Sequence, residues 1–162
     1  MIDPVRDFAA AATAFCAWCA GPVGEPQAEL RAAQRHLALL YALALRLDPD
    51  VGADDVTPDA DGSRCDEERW RTVYRRAGVL PVGYYAEVLD VQRLIDPPTG
   101  IGDVGDDIAD VYRDLEEGLG LYREGQVAAA VWHWAFHFRH HWGRHALGAL
   151  LALHEWRDPA VD

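Results

Sequence analysis

The chain contains no lysine and no asparagine, and its only serine is Ser63. The missing lysine excludes P-loop nucleotide binding, Schiff-base catalysis and Ser-Lys hydrolysis, because each of these needs a lysine amine. A Ser-His-Asp hydrolase would have to use Ser63, which lacks the glycine-rich turn that exposes such a nucleophile. The 15 cations, all arginine, are outnumbered by 27 acidic residues, and the net charge is -12. This balance argues against binding to nucleic acids and to anionic membrane surfaces.

Long apolar runs are also missing. The longest, Leu37 to Leu45, is well short of the ~18 residues that a membrane span needs. The start of the chain has no basic segment followed by an apolar stretch, so we expect no signal peptide. Cys16, Cys19 and Cys65 are an odd number of thiols, which favours a reduced, cytoplasmic protein. Cys16 and Cys19 match C-x-x-C, but no second pair of ligands completes a zinc site, so we expect both to be buried.

Half of the 162 residues are hydrophobic, which is enough to form a core. Periodicity and turn residues predict one all-α domain over residues 1–162, a bundle of five or six helices. The predicted helices cover about 4–20, 26–47, 64–77, 85–92, 103–125 and 126–156. Ser63 and Asp66 form a possible capping box before the third. An acidic segment, about 48–62, is predicted to be a solvated loop rather than a calcium site. No window alternates with period two, so no sheet is expected.

The last predicted helix, 126–156, is the longest and is expected to form the centre of the bundle. It holds four of the six tryptophans and an unusual series of histidines: His133, His137, His140, His141 and His145. Several pairs are four residues apart, the spacing that lets two imidazoles meet one metal ion. Neither H-E-x-x-H nor Glu-x-x-His occurs, so the sequence predicts neither a zincin nor a carboxylate-bridged di-metal bundle.

The preceding helix carries aspartates on one face, at spacings of four, three and four: Asp103, Asp107, Asp110 and Asp114. Two interpretations follow. In the first, these residues form a structural polar network with the next helix, and its members are Asp107, Asp110, Asp114, His137, His141, Arg144 and His145. In the second, a divalent metal ion is bound, with a possible hydrolase activity, by Asp107, Asp110, His137 and His141.

A short turn near Glu124 and Gly125 makes the two helices antiparallel neighbours. Asp114 should then lie near His137, and Asp107 or Asp110 near residues 141–145. Pairing should lower the pKa values of the carboxylates and raise those of the histidines. Removing the Asp110 side chain should cost about 1–3 kcal/mol of stability, because buried donors would lose their acceptor.

The segments DDIADVYRDLEEGLGLY and AVWHWAFHFRHHWGRHALGALLALH resemble a bacterial family catalogued only as domain of unknown function 5063. The residues that carry the resemblance are Asp107, Tyr112, Asp114, Trp132, Phe136, Phe138, Trp142, Gly143, His145, Leu147, Leu153 and His154. The resemblance implies a small, cytosolic, mainly helical bacterial protein without an established activity or catalytic residues. The histidines at 133, 137 and 140 lie outside that pattern.

Three functions therefore remain open at this level. The first, which the sequence favours over the other two, is a non-enzymatic module whose acidic surface binds an unidentified partner protein. The second is the divalent-metal-binding bundle. The third is a pocket for a small apolar ligand, lined by Trp132, Trp134, Trp142 and Tyr112. The sequence leaves enzymatic activity and oligomeric state undecided.

Overall fold

The computed structural model describes residues 3–48 and 65–157. In these ranges the chain forms six helices and two short strands. In chain order they are α1 (Pro4–Ala20), α2 (Pro26–Ala44), α3 (Glu67–Ala77), β1 (Tyr84–Val88), β2 (Thr99–Asp103), α4 (Val104–Arg123), α5 (Val127–His140) and α6 (Trp142–Glu155). The helical bundle is confirmed, but the fold is not strictly all-α. None of the described helices combines the length and apolar character needed to cross a bilayer.

The helix at the centre of the bundle is α4, which packs against α1, α3, α5 and α6. At 20 residues it is also the longest of the described helices. Its apolar side chains Ile108, Val111, Leu115 and Leu119 are fully or almost fully buried. These residues follow the 3.6-residue period, so the aspartates that alternate with them lie on an adjacent stripe of the same helix.

The prediction of one continuous helix over 126–156 is wrong, because the segment forms two helices, α5 and α6, separated at His141. The backbone of His141 has φ -146° and ψ -87°, far from helical values. Gly143 makes the sharp change of direction possible: a Cβ on this residue would lie 2.2 Å from the Phe138 carbonyl oxygen. The indole Nε1 of Trp142 donates a hydrogen bond to the Trp134 carbonyl oxygen at 3.1 Å, which links the start of α6 to α5.

The fourth predicted helix is also wrong, because residues 84–88 form a strand of an antiparallel hairpin. Tyr84 pairs with Asp103 and Val88 with Thr99. The inward side chain of Tyr85 alternates with outward Tyr84 and Ala86. The exposed face of β1 carries Tyr84, Ala86 and Val88 while the inward face includes Glu87, so the strand lacks the apolar-in, polar-out alternation that identifies a half-exposed strand in a sequence.

Local signals at helix ends were predicted more successfully. Asp3 caps α1 by accepting hydrogen bonds from the amides of Val5 and Arg6. The predicted capping box is wrong at α3, because Asp66 rather than Ser63 is the N-cap and accepts a hydrogen bond from the Arg69 amide at 2.7 Å; Ser63 lies outside the described residues. Gly125 has φ +80°, the left-handed conformation that the short turn between α4 and α5 requires. Of the acidic segment about 48–62, only Asp48 falls within the described residues.

The two cysteines of the C-x-x-C sequence are core residues. Cys16 and Cys19 are both buried and free, and burial raises the pKa of each thiol. Near them, the buried Glu29 accepts hydrogen bonds from the Trp18 indole and the Gly24 amide and pairs with Arg76 at 2.9 Å. This buried ion pair joins the α1–α2 turn to α3.

Replacing Gly143 with alanine should destabilise the protein by about 1–3 kcal/mol, the usual result of forcing an extra methyl group into packed structure. The added Cβ would meet backbone, which cannot rotate away. Urea unfolding measures the change. Gly83→Ala is the matched control, because its Cβ would have no neighbour within 4 Å. Equal stability of the two variants would show that the approach at Gly143 is not a constraint.

Candidate metal centre

The acidic stripe of α4 lies against the break between α5 and α6. Asp107 and Asp114 are buried, with 4% and 3% of their surfaces exposed. Buried carboxylates need hydrogen-bond donors or cations around them, because an unpaired buried charge is strongly unfavourable. Histidines supply those partners.

Each aspartate contacts histidine nitrogens directly. Asp114 Oδ2 lies 2.6 Å from His141 Nδ1 and 3.5 Å from His137 Nδ1. Asp107 Oδ1 lies 2.7 Å from His145 Nδ1. The contacts have the antiparallel register that was predicted. Asp114 contacts His137 of α5 and the following His141, and Asp107 contacts His145, further along the chain in α6.

Asp110 lies between these two pairs and has its two oxygens in different environments. Its Oδ1 accepts hydrogen bonds from Trp70 Nε1 and from the guanidinium of Arg113, both at 2.8 Å. Its Oδ2 faces His141 Nε2 at 3.6 Å and His145 Nε2 at 3.5 Å. One oxygen is therefore held by donors while the other points at two imidazoles.

The hydrogen bonds to Asp107 and Asp114 determine how these imidazoles are presented. An ionised carboxylate only accepts hydrogen bonds, so Nδ1 of His145 and Nδ1 of His141 carry protons. In the neutral ring, Nε2 then has a free lone pair. Both Nε2 atoms face Asp110 Oδ2, so three ligand atoms converge in one place. Carboxylates that fix the other nitrogen of a ligating histidine are a common feature of protein metal sites.

The spacing of the three atoms fits a transition-metal ion. Asp110, His141 and His145 offer one ligand atom each, all within 4.8 Å of one another. Metal bonds of about 2.0–2.2 Å place two tetrahedral ligands roughly 3.4 Å apart. The observed oxygen–nitrogen distances of 3.5 Å and 3.6 Å require little movement to reach that value. About a quarter to a third of each imidazole surface is exposed, so solvent has access to the site.

A second group of ligand atoms adjoins the first and consists of Asp114, His137 and His141. It shares His141, whose Nε2 faces Asp110 while its Nδ1 faces Asp114. His137 stacks on His133 with ring centroids 4.3 Å apart. His133 in turn lies 3.1 Å from the backbone oxygen of Asp114, an acceptor, so its Nε2 donates.

The four residues proposed as metal ligands from the sequence do not form a single group. Asp110 and His141 lie together, but Asp107 contacts His145, and His137 contacts Asp114. Arg144, expected to pair with an aspartate, instead contacts Glu87 of β1 at 2.9 Å. It is drawn away because the hairpin, which the sequence did not reveal, brings a carboxylate to the same side of α6.

Two residues at this site were missed in the sequence. Trp70 of α3 orients Asp110, and Tyr85 of β1 donates its hydroxyl to Asp107 Oδ2 at 2.8 Å. Both come from distant parts of the chain, so spacing gives no signal for them. A Cβ on Gly102 or on Gly148 would overlap the Tyr85 side chain, which shows that the phenol occupies a closely fitting slot. This slot aims the hydroxyl at Asp107.

Burial and hydrogen bonding shift the pKa values of these aspartates and histidines in different directions. Burial acts to raise the pKa of Asp114, but hydrogen bonds from His137 and His141 outweigh it and the pKa is lowered. At Asp107 burial prevails over the bonds from His145 and Tyr85, so its pKa is raised, contrary to the expectation that every paired carboxylate has a lowered pKa. Hydrogen bonds with aspartates raise the pKa values of His137 and His145, despite burial. Burial lowers the pKa of His133 to about 4.

The aromatic side chains proposed to line a ligand pocket are separated in the structure. Trp134 and Trp142 are fully buried and pack on Phe8. Trp132 stacks on Phe136 instead, and Tyr112 lines a cavity of about 620 Å³ to which none of the three tryptophans contributes. A smaller cavity of about 290 Å³ lies beside the candidate metal centre, between the hairpin and α6, and includes Asp107 and His145 in its lining.

Comparison with known families places this site in a wider context. The family model described as "Domain of unknown function (DUF5063)" matches residues 2–158. The chain belongs to this family. The DUF5063 chain also resembles the crystal structure of protein BF1032 from Bacteroides fragilis, with a TM-score of 0.72 and 19% identity over 96% of this chain and 95% of that one. That likeness shows a shared fold. No curated protein matches the DUF5063 chain.

The metal-free DUF5063 protein should be most stable at intermediate pH. The lowered pKa of Asp114 contributes stability that is lost as the pH falls through that folded-state value. The raised pKa values of His137 and His145 contribute stability that is lost as the pH rises through them. The raised pKa of Asp107 acts in the opposite sense to that of Asp114 and reduces the loss in acid.

Urea unfolding in a chelating buffer, from about pH 3 to pH 9, measures this profile across the ordinary aspartate and histidine ranges. His145→Gln keeps a donor for Asp107 but does not titrate, so the decline above neutral pH should become smaller. His154→Gln is the control, since that side chain is 73% exposed. An unchanged decline in His145→Gln would contradict the assigned histidine contribution.

Proposed function

We propose that this protein binds a divalent transition-metal ion through Asp110, His141 and His145. The observation that carries the proposal is the convergence of Asp110 Oδ2 with the Nε2 atoms of both histidines at 3.5–3.6 Å. Two imidazoles and one carboxylate suit zinc, iron and manganese, and leave coordination positions free.

The surroundings of the three ligands support a metal site more strongly than a purely structural network. Asp107 and Asp114 hold the Nδ1 atoms of the two histidines, and Trp70 and Arg113 hold the remaining oxygen of Asp110. In the neutral tautomers, the Nε2 lone pairs of His141 and His145 face the Asp110 oxygen without a proton between them, an arrangement that a bound cation stabilises.

Open coordination positions give the bound ion a chemical use. An ion with three protein ligands polarises a bound carbonyl or phosphoryl oxygen, or lowers the pKa of a bound water so that hydroxide forms near neutral pH. The solvent-accessible position of the site, beside the 290 Å³ cavity, provides room for a small substrate. A metal-dependent hydrolytic activity is the reaction class that this arrangement favours.

Zinc binding to the chelator-treated protein tests the proposal. Isothermal titration calorimetry should give a dissociation constant that weakens by more than about 100-fold in Asp110→Asn and His145→Ala, which exceeds the loss typical of changes to groups one step further from a metal. Asp107→Asn should weaken binding by about 10–100-fold, because it only orients His145. Cobalt binding should give visible absorption bands in the native protein that Asp110→Asn lacks.

His140→Ala is the matched control, because His140 directly precedes the proposed ligand His141 but is exposed. Its zinc affinity should equal that of the native protein. If Asp110→Asn and His145→Ala bind zinc as tightly as the native protein does, or if the native protein binds none, the proposal is wrong. A loss of thermal stability in Asp110→Asn without a change in zinc affinity would favour the structural network.

An exposed apolar surface on the hairpin supports a second candidate function, binding of a partner protein. Val91, Leu94, Ile95 and Ile101 are all at least 77% exposed, and Asp90 directly precedes them in the sequence. Apolar patches of this kind mark interaction sites. The net charge of -12 disfavours a second copy of the chain, so the partner proposed is a different protein with an apolar patch and basic residues around it.

Sedimentation velocity distinguishes the two possible occupants. The purified protein should remain monomeric as its concentration rises, while a photo-crosslinking residue at Leu94 should capture one partner in cells, less so at high salt. A crosslinker at Leu45, an exposed residue at the end of α2, is the control. Self-association that Leu94→Asp abolishes would identify a second copy instead.

A further inference from the structure

The strongest unassigned feature is the second ligand group, Asp114, His137 and His141, which adjoins the proposed metal site. Its members come from α4, from α5 and from the break between α5 and α6. Asp114 Oδ2 lies 3.5 Å from His137 Nδ1, a separation that also fits two ligands of one ion, whereas its 2.6 Å hydrogen bond with His141 Nδ1 must lengthen for an ion to enter.

We infer that this group binds a second divalent ion and that the His141 ring bridges the two ions. The inference rests on the proposed function, because the first ion occupies the Nε2 side of the same ring. His141 presents Nε2 towards Asp110 and Nδ1 towards Asp114, so its two nitrogens face different ligand groups. The second ion replaces the proton on Nδ1, and that proton passes to solvent, as usual when a metal binds a protonated ligand.

The local charge favours two ions. Asp106, Asp107, Asp110, Asp114 and Glu117 all lie around the two groups and influence one another or the intervening histidines electrostatically. Arg113 is paired with Asp110, and Arg144 is paired with Glu87 of the hairpin. The carboxylates around the two groups therefore outnumber the nearby arginines.

The surroundings also position the second set of ligands. His137 is stacked on His133, and His133 is fixed by its hydrogen bond to the backbone of Asp114. The Glu117 carboxylate lies 3.8 Å from His133 Nε2, on the same side of the bundle. His137 is thus held in place by its stacking on His133, and it contacts Asp114 through its Nδ1 atom. These contacts explain the i,i+4 spacing of His133, His137 and His141.

Native mass spectrometry of the folded protein with added zinc tests the inference. The native protein should bind two zinc ions per chain. His137→Ala and His137→Gln, which change only the second group, should bind one, and His145→Ala, which changes only the first group, should lose the first ion. Circular dichroism establishes that each variant is folded, and His140→Ala should retain both ions.

Copper provides a readout of the bridge itself. With two Cu²⁺ ions bound, magnetic coupling through the ring should make the electron paramagnetic resonance intensity fall below that of two isolated ions, and His137→Gln should abolish this loss. A single zinc ion in the native protein, lost in His145→Ala but kept in His137→Gln, would overturn the second site and leave the proposed function intact. The absence of any bound zinc would overturn both. Two uncoupled copper ions would overturn the bridge.

Discussion

The need of two buried aspartates for hydrogen-bond partners is the constraint on which the rest of this structure depends. Asp107 and Asp114 lie on the helix that packs against α1, α3, α5 and α6, and the free-energy cost of burying their charge must be offset locally. His145 and His141 meet that need with hydrogen bonds of 2.7 and 2.6 Å. The same contacts turn the opposite nitrogens of both rings towards Asp110. Stability and metal-binding geometry therefore come from one set of contacts.

The break at His141 has a clear role in this arrangement. On a continuous helix, residues 137, 141 and 145 would be successive members of one stripe, about 6 Å apart along the axis. The change of direction after His140 places the His141 ring between Asp110 and Asp114, where its two nitrogens serve different carboxylates. Gly143 permits the close approach of the two helices that follows. Backbone distortion in a helix is common at functional sites, and here it sets the position of the shared ligand.

Sequence periodicity was sufficient to predict the helical bundle, the aspartate stripe and the histidines that face it. These features repeat every turn, so spacing alone determines which side chains share a face. The register of Asp114 with His137 followed from the short turn at Gly125, which makes α4 and α5 antiparallel. Helical spacing and turn residues were thus sufficient to predict one contact between residues that are distant in the sequence.

Other features depend on contacts that no local pattern contains. Tyr85, Val88 and Leu89 have helical spacing in the sequence, so β1 resembled part of a helix. The roles of Tyr85 and Glu87 were therefore missed. Trp70 reaches Asp110 from 40 residues away. No proline near His141 indicates in the sequence that the helix breaks there. The proposed ligand set depends on all three features, which is why Asp107 and His137 were named as candidate ligands from the sequence and His145 was left out.

The most direct test of the account is the position of zinc in a crystal of the protein, located by anomalous scattering at the zinc absorption edge. The account predicts a strong peak within about 2.2 Å of Asp110 Oδ2, His141 Nε2 and His145 Nε2. Zinc bound only at exposed side chains such as His154, with direct hydrogen bonds retained among the three proposed ligands, would contradict it.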